Sequence, residues 1–375
     1  MLQTKTLYSY NDVMIEPAVL SDVKSRSECN PLKENGKLPL FTAPMSTVVN
    51  EQNFKIFENN GINAILPRNY NVSIRYNYVL KGKWAAFSLS EFKENFCDIY
   101  NVNYTDITWN VLIDVANGHM KQIYELVKLA KLINGKKICI MIGNIANPDT
   151  YMECYKCGIS YIRCGIGGGS GCTSSSNVSI HYPMASLIND TYNVKKQIYY
   201  NNNYLNKSWG EMPQIIADGN IRNYDDCIKA LALGADYVMI GSVFASLIES
   251  AGDIYLKLKD NSNILVSYEI DNKGLIKLNE LPDNINIIDG KLYKEFYGMA
   301  SREGQIAING CKTKTSEGIR KELPITGTIP QWSENMNAYL RSAMSYCNIK
   351  DINEFNPENV ICNVVSYNTV NRINK

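Results

Sequence analysis

The sequence predicts an α/β protein built on a closed (β/α)8 barrel, and three observations predict it. Eight short runs rich in Ile, Val and aromatic residues recur between residues 38 and 240. Segments with helical apolar spacing lie between several of them, and almost every run ends in small, polar or Gly-rich residues. Near-continuous apolar strands separated by helices suit a parallel sheet buried on both faces. A doubly wound open sheet is the structural alternative.

The strands are expected at 38–43, 62–66, 84–89, 109–115, 137–142, 160–164, 214–217 and 237–240. Each is short enough for a strand and is bounded by turn residues. Between them, 121–132 places Ile123, Leu126, Val127 and Ala130 on one helical face, and 225–233 follows Asn223, a suitable helix cap. After the eighth strand comes an excursion, 254–295. Within it 264–278 alternates around Asp271-Asn272-Lys273-Gly274 and reads as an inserted β-hairpin. Residues 312–318 read as a polar loop and 336–347 as a helix in a C-terminal extension. Nothing marks an internal repeat or a second domain, so residues 1–375 are expected to form a single domain.

Composition narrows the function classes. Of 375 residues, 45% are hydrophobic and 20% charged, enough for a sizeable core and too apolar for a disordered chain. The net charge of +1 supplies no field to attract a polyanion, so a nucleic-acid partner is not expected. No apolar run reaches the ~18 residues of a membrane helix, and the first residues lack a signal-peptide core. The eleven Cys, an odd number in a long chain, read as reduced thiols of a cytoplasmic protein. Cys154 and Cys157 form a lone CxxC without a zinc complement. With only His119 and His181 present, chemistry must lean on other groups.

In a parallel barrel, ligands bind at loops after the C-terminal strand ends. Those loops here read APMST, LPRNY, DVANGH, GNIANP, GIGGGSGCTSS, DGN and GS. The densest is Gly165 to Ser175. Its glycines let backbone amides approach and cradle an anion, and it leads into Cys172, a thiol placed to act as a nucleophile. Asp218-Gly219-Asn220 and Gly241-Ser242 follow the seventh and eighth strands, where barrels often hold phosphate; Asp218 suits ribose hydroxyls.

These residues resemble the IMP dehydrogenase/GMP reductase family of (β/α)8 barrels, over nearly the whole chain. Asn11 to Pro17 looks like the family's opening segment and Ala43 to Val48 like its first strand-end loop. Gly165 to Cys172 match the Gly-x-Gly-x-Gly-Ser-x-Cys signature. Asp218-Gly219, Gly241-Ser242, Tyr297-Gly298-Met299 and Ser316-Glu317-Gly318 follow in the family's order. The resemblance implies that Cys172 attacks purine C2, with Ser174 and Glu317 forming the proton path. It implies that Ser170, Gly219, Asn220, Gly241, Ser242 and Tyr297 hold the 5′-phosphate and Asp218 the ribose. Ser46, Arg68, Gly298 and Met299 would complete the nucleotide site. Asp114, Ala116, Asn144, Gly165 and Gly167 would face the nicotinamide cofactor. The carbonyls of Gly165, Gly167 and Cys172 would suit a monovalent cation such as K+.

Within the family the chain looks like the reductase branch. No regulatory module fits between Asn69 and Ala85, the loop from Met299 to Glu317 lacks an Arg-Tyr pair, and Ile113 to Gly118 and Leu340 to Tyr346 match reductase versions. Lys314 and Ser316 suit the 2′-phosphate of NADPH. The implied activity is NADPH-dependent conversion of GMP to IMP and ammonia in a cytoplasmic homotetramer. Ser174 stands where the family has Thr, Ser175 for Arg, Met184 for Gln, Asn220 for Gly, and Pro67-Arg68-Asn69 for a His-Lys-His run. Three alternatives therefore stay open: a short IMP dehydrogenase, a reductase of a modified purine nucleotide, and a non-catalytic nucleotide-binding barrel.

Overall fold

The computed structural model describes residues 4–97, 107–171, 174–205, 211–257, 263–270, 276–279, 291–311 and 315–366. Strand β1 (Val13–Glu16) precedes the barrel strands β2 (Leu40–Thr42), β3 (Ile65–Leu66), β4 (Trp84–Phe87), β5 (Trp109–Asp114), β6 (Ile138–Ile145), β7 (Tyr161–Cys164), β8 (Gln214–Asp218) and β9 (Tyr237–Ile240). The eight run parallel in the order β2-β9-β8-β7-β6-β5-β4-β3. A Phe41–Asn63 bridge joins the two ends, so the sheet is a (β/α)8 barrel and not an open sheet.

The expected strand at 62–66 contracts to Ile65–Leu66 because polar groups close the barrel there. Asn63 Nδ2 donates to the Leu40 carbonyl at 3.0 Å, and Thr42 Oγ1 accepts from the Ile65 amide at 3.0 Å. Two apolar layers explain the continuous hydrophobic runs. Phe41, Ile65, Trp84, Leu112, Met141, Ile216 and Met239 fill the barrel interior. Their neighbours Leu40, Leu66, Val111, Ile113, Ile162, Ile215 and Val238 face outward into the larger core.

The outer helices are α1 (Glu51–Asn59), α2 (Val72–Leu80), α3 (Leu89–Phe96), α4 (Lys121–Asn134), α5 (Thr150–Lys156), the short α6 (Ser174–Asn177), α7 (Met184–Leu205), α8 (Tyr224–Ala232) and the short α9 (Ser242–Ala245). Helix α4 buries Ile123, Leu126, Val127 and Ala130, the face its spacing predicts. Asn223 caps helix α8, and its amide donates to Asp226. Cys154 lies in α5 and Cys157 caps it.

The excursion holds more than a hairpin. Strands β10 (Ile254–Lys257), β11 (Asn263–Ile270), β12 (Ile276–Asn279), β13 (Lys291–Tyr297) and β14 (Arg320–Pro324) form an antiparallel sheet ordered β12-β11-β10-β13-β14. The expected β11–β12 pairing is present, while its turn at 271–274 lies outside the described residues. Helix α10 (Arg302–Asn309) lies between β13 and β14, and α11 (Ile329–Tyr346) follows. Helix α11 starts seven residues before the expected 336 and takes the eighth barrel position. Trp332 stacks on Tyr224 of α8 at 5.0 Å, and Ser333 donates to the Asn60 carbonyl at the end of α1. The expected C-terminal extension is thus in part the last barrel helix. Strand β15 (Ile361–Val364) pairs with β1 and ties the two chain ends together. Among the described residues no helix is long and apolar enough to cross a membrane, and the ten described cysteines are free.

Candidate active site

A cavity of about 730 Å³ opens where the C-terminal ends of the barrel strands meet the loop after β13. Of the residues selected from sequence, Arg68, Asp114, Ala116, Asn144, Gly165, Gly167, Ser170, Asp218, Gly219, Asn220, Gly241, Ser242, Gly298, Met299 and Glu317 line it. Ser46 and Tyr297 join it one step back: Ser46 Oγ donates to the Tyr297 hydroxyl at 3.1 Å and meets Met299 Sδ at 3.7 Å. Ser316 is not in the lining. Cys172 and Lys314 lie outside the described residues, as does the side chain of Ser174, whose backbone opens α6.

The Gly-rich loop is fixed by its neighbours. Gly165 has φ +141°, and a Cβ there would sit 2.0 Å from the Asp218 carbonyl oxygen. Only glycine lets the ends of β7 and β8 approach this closely. Asn220 adopts φ +59°, the left-handed conformation that glycine takes most easily and Asn tolerates best among other residues. Its amide donates to the Gly168 carbonyl at 2.9 Å. The Gly171 carbonyl accepts from the Ile319 amide at 3.1 Å, and a Cβ on Gly298 would lie 2.5 Å from that carbonyl. The loop after β13 is therefore pressed onto the residue preceding Cys172.

A charged cluster forms the cavity floor. Arg163, in β7, is 6% exposed. Its Nη1 donates to Asp114 Oδ1 at 2.7 Å; its Nε and Nη2 both donate to Asp218 Oδ2, at 3.0 and 2.9 Å. Asn144 Nδ2 donates to the same Asp218 Oδ2 at 2.7 Å and to the Gly165 carbonyl at 2.8 Å. Burial works against the Arg163 charge, but the carboxylates of Asp218 and Asp114 outweigh it and raise its pKa further. Arg68 donates from Nη1 to the Asp114 carbonyl at 3.2 Å. Asp218 is thus no helix or turn cap: it is the acceptor at the centre of this cluster.

Sequence reading missed Arg163, although a clue existed. Tyr161, Arg163 and Gly165 share the alternation that places Tyr161 in the barrel, so a charge at 163 points inward. The gap it fills comes from Gly143, where a Cβ would meet Arg163 Cβ at 2.3 Å.

Among the described residues neither histidine hydrogen-bonds a carboxylate or a thiol. His119, a candidate ligand contact from sequence, braces the loop after β6: its Nε2 accepts from the Ala146 amide and its Nδ1 meets Thr150 Oγ1, both at 3.1 Å. Burial holds its pKa down, which favours this neutral form. His181, expected to be structural, lines the cavity mouth and donates from Nδ1 to the Ile166 carbonyl at 2.9 Å. Burial raises the pKa of both Cys154 and Cys157, and the described residues hold no group of three metal-ligating side chains.

The family model for the IMP dehydrogenase / GMP reductase domain matches residues 7–263 and 273–370. The chain belongs to this family. It is 25% identical over 358 residues to the GMP reductase of Staphylococcus carnosus, covering 92% of this chain and 93% of that protein. Identity to the GMP reductase of Clostridium acetobutylicum is 26%, with 93% of each chain covered. For that of Caenorhabditis elegans it is 24%, with 94% and 90% covered. The Gly165–Gly171 loop, Asp218-Gly219, Gly241-Ser242, Asp114 and Arg68 all line the one cavity.

Proposed function

We propose that this chain is a GMP reductase-like oxidoreductase that converts GMP to IMP and ammonia with NADPH, through a covalent thioimidate on Cys172. The observation that carries the reading is the single cavity in which all three strand-end loops of the expected nucleotide site converge. The full-length similarity to proteins named GMP reductase supports the branch.

In this mechanism the Cys172 thiolate adds to purine C2, a C–S bond forms and the C2–N bond to the exocyclic amine breaks. The amine leaves as ammonia once protonated, and Glu317, which lines the cavity, supplies the proton through the Ser174 hydroxyl. Ser170, Gly219, Gly241, Ser242 and Tyr297 hold the phosphate in this reading, and Asp218 accepts from the ribose. Splitting the reaction through a covalent adduct lowers each barrier.

Arg68, which lines the cavity, has its Nε buried without a hydrogen-bond partner among the described residues. A bound nicotinamide nucleotide would lie in the same cavity. Asp114, Ala116 and Asn144 would line its site, and Lys314 and Ser316 would favour NADPH over NADH. When bound, reduced nicotinamide supplies hydride to C2, after which the thiolate is released. The Gly165 carbonyl accepts from Asn144 and keeps a second lone pair with which it could join a monovalent cation.

Loss of nicotinamide absorbance with equimolar ammonia release from GMP tests the reading, and Cys172→Ala should abolish turnover while leaving GMP binding intact. Formation of XMP from IMP and NAD, without reduction of GMP, would make the chain a dehydrogenase instead. The homotetramer is tested by mass measurement in solution.

A further inference from the structure

We propose that Arg163 is a positioning residue that fixes which oxygen of Asp218 meets the substrate, and thereby sets selectivity for a ribonucleotide over its 2′-deoxy form. The inference rests on the nucleotide-binding reading above. It adds a role for a side chain that neither the motifs nor the mechanism use.

The argument starts from acceptor capacity. Asp218 Oδ2 receives three donors: Arg163 Nε, Arg163 Nη2 and Asn144 Nδ2. That fills the oxygen's lone-pair directions. Oδ1 accepts from no donor among the described residues, and Asp218 lines the cavity. The carboxylate therefore presents one ionised oxygen to a ligand, at a fixed rotamer. Two vicinal hydroxyls can both donate to a single anionic oxygen, whereas a 2′-deoxyribose brings only one of them.

Arg163 can hold that rotamer because it is itself held at its far end. Nη1 donates to Asp114 Oδ1 at 2.7 Å, so the planar guanidinium spans two carboxylates 104 positions apart in the chain. Gly143 clears the space beneath it, and burial excludes competing water. A lysine at 163 keeps the charge, but its ammonium lacks the fork that meets both carboxylates at once.

The test is equilibrium binding of GMP and 2′-deoxy-GMP by calorimetry without cofactor, so the readout does not depend on turnover. Wild type should bind GMP roughly tenfold to a hundredfold more tightly, the worth of a hydrogen bond to a charged group. Arg163→Lys should bring that preference to about threefold or less. Asp114→Asn, which keeps the side-chain shape and weakens the far anchor of Arg163 together with the 3.9 Å pair between Arg68 and Asp114, should reduce it severalfold and serves where Arg163→Lys does not fold. A purely structural Arg163 would weaken both nucleotides equally and leave the preference intact, and that result overturns the proposal. So does a wild-type preference below threefold. Wild type that binds neither nucleotide overturns the functional reading and this proposal together, whereas binding without turnover overturns the reductase assignment alone.

Discussion

Replacing Gly165 by Ala tests whether the close approach of β7 and β8 builds the site. Two costs follow from the structure. An alanine at φ +141° is strained by about 1–3 kcal/mol. Its Cβ would also lie 2.0 Å from the Asp218 carbonyl oxygen and 3.1 Å from Met184 Sδ. The carbonyl belongs to backbone and cannot swing away, so the strand ends must part by about 1 Å or more. Asn144 Nδ2 spans that gap, at 2.8 Å from the Gly165 carbonyl and 2.7 Å from Asp218, and parting the strands stretches both bonds. We expect a stability loss of about 2–4 kcal/mol in urea denaturation. Because a displacement of this size misplaces reacting groups, kcat/KM with GMP and NADPH should fall about a hundredfold or more. Gly36→Ala is the control. Gly36 also has positive φ, +74°, but a Cβ there meets nothing within 4 Å. It should cost about 1 kcal/mol and leave activity within twofold. If Gly165→Ala behaves like Gly36→Ala, close packing of the two strand ends does not form the site.

Ser46→Ala removes the hydroxyl that donates to Tyr297 and should raise the KM for GMP severalfold with kcat little changed, measured by steady-state kinetics. Burial pushes the Glu91 carboxyl up, but the Arg75 fork at 2.6 and 3.0 Å and the Ser88 amide hold it down to about 2. Its stabilisation is therefore present above pH ~4.5 and lost as pH falls toward 2. Glu91→Gln should cost about 1–2 kcal/mol at pH 7, allowing for solvent screening, and the difference from wild type should close in acid-unfolding curves. Lys294 is 1% exposed, donates to the Ser250 carbonyl, and is lowered to about 8 by burial despite nearby Asp253 and Glu249. The unfolded chain then binds more protons between pH 8 and 10.5, so this lysine's contribution to stability rises with pH. Relative to Lys294→Met, wild type should gain about 2 kcal/mol between pH 7.5 and 9.5 in denaturant titrations.

Much of the active-site lining was legible because loop chemistry is local. Gly165 and Gly167, Asp218-Gly219 and Gly241-Ser242 declare themselves by residue type at strand ends, and they line one cavity. Strand-like runs were legible for a related reason: both faces of the barrel strands are buried, so the apolar runs are unbroken. The five-stranded sheet was legible only as its hairpin. The pairing of Lys257 with Lys291 and of Tyr297 with Arg320 crosses long stretches of chain and leaves no mark in either segment. Helix α11 was read short at its start because Trp332 belongs to a contact with α8 that no local pattern displays.

The sequence by itself determined the strand–helix repetition, the order of the ligand loops and the inward alternation of each strand, because side-chain periodicity and turn chemistry act between near neighbours. Only the tertiary structure decided the partners of Arg163. Asp114 and Asp218 lie 49 and 55 residues away, and they meet the guanidinium only where curvature of the sheet brings β5, β7 and β8 around one mouth. Ion pairing falls off within a few ångströms, so it is fixed by that curvature and not by position along the chain.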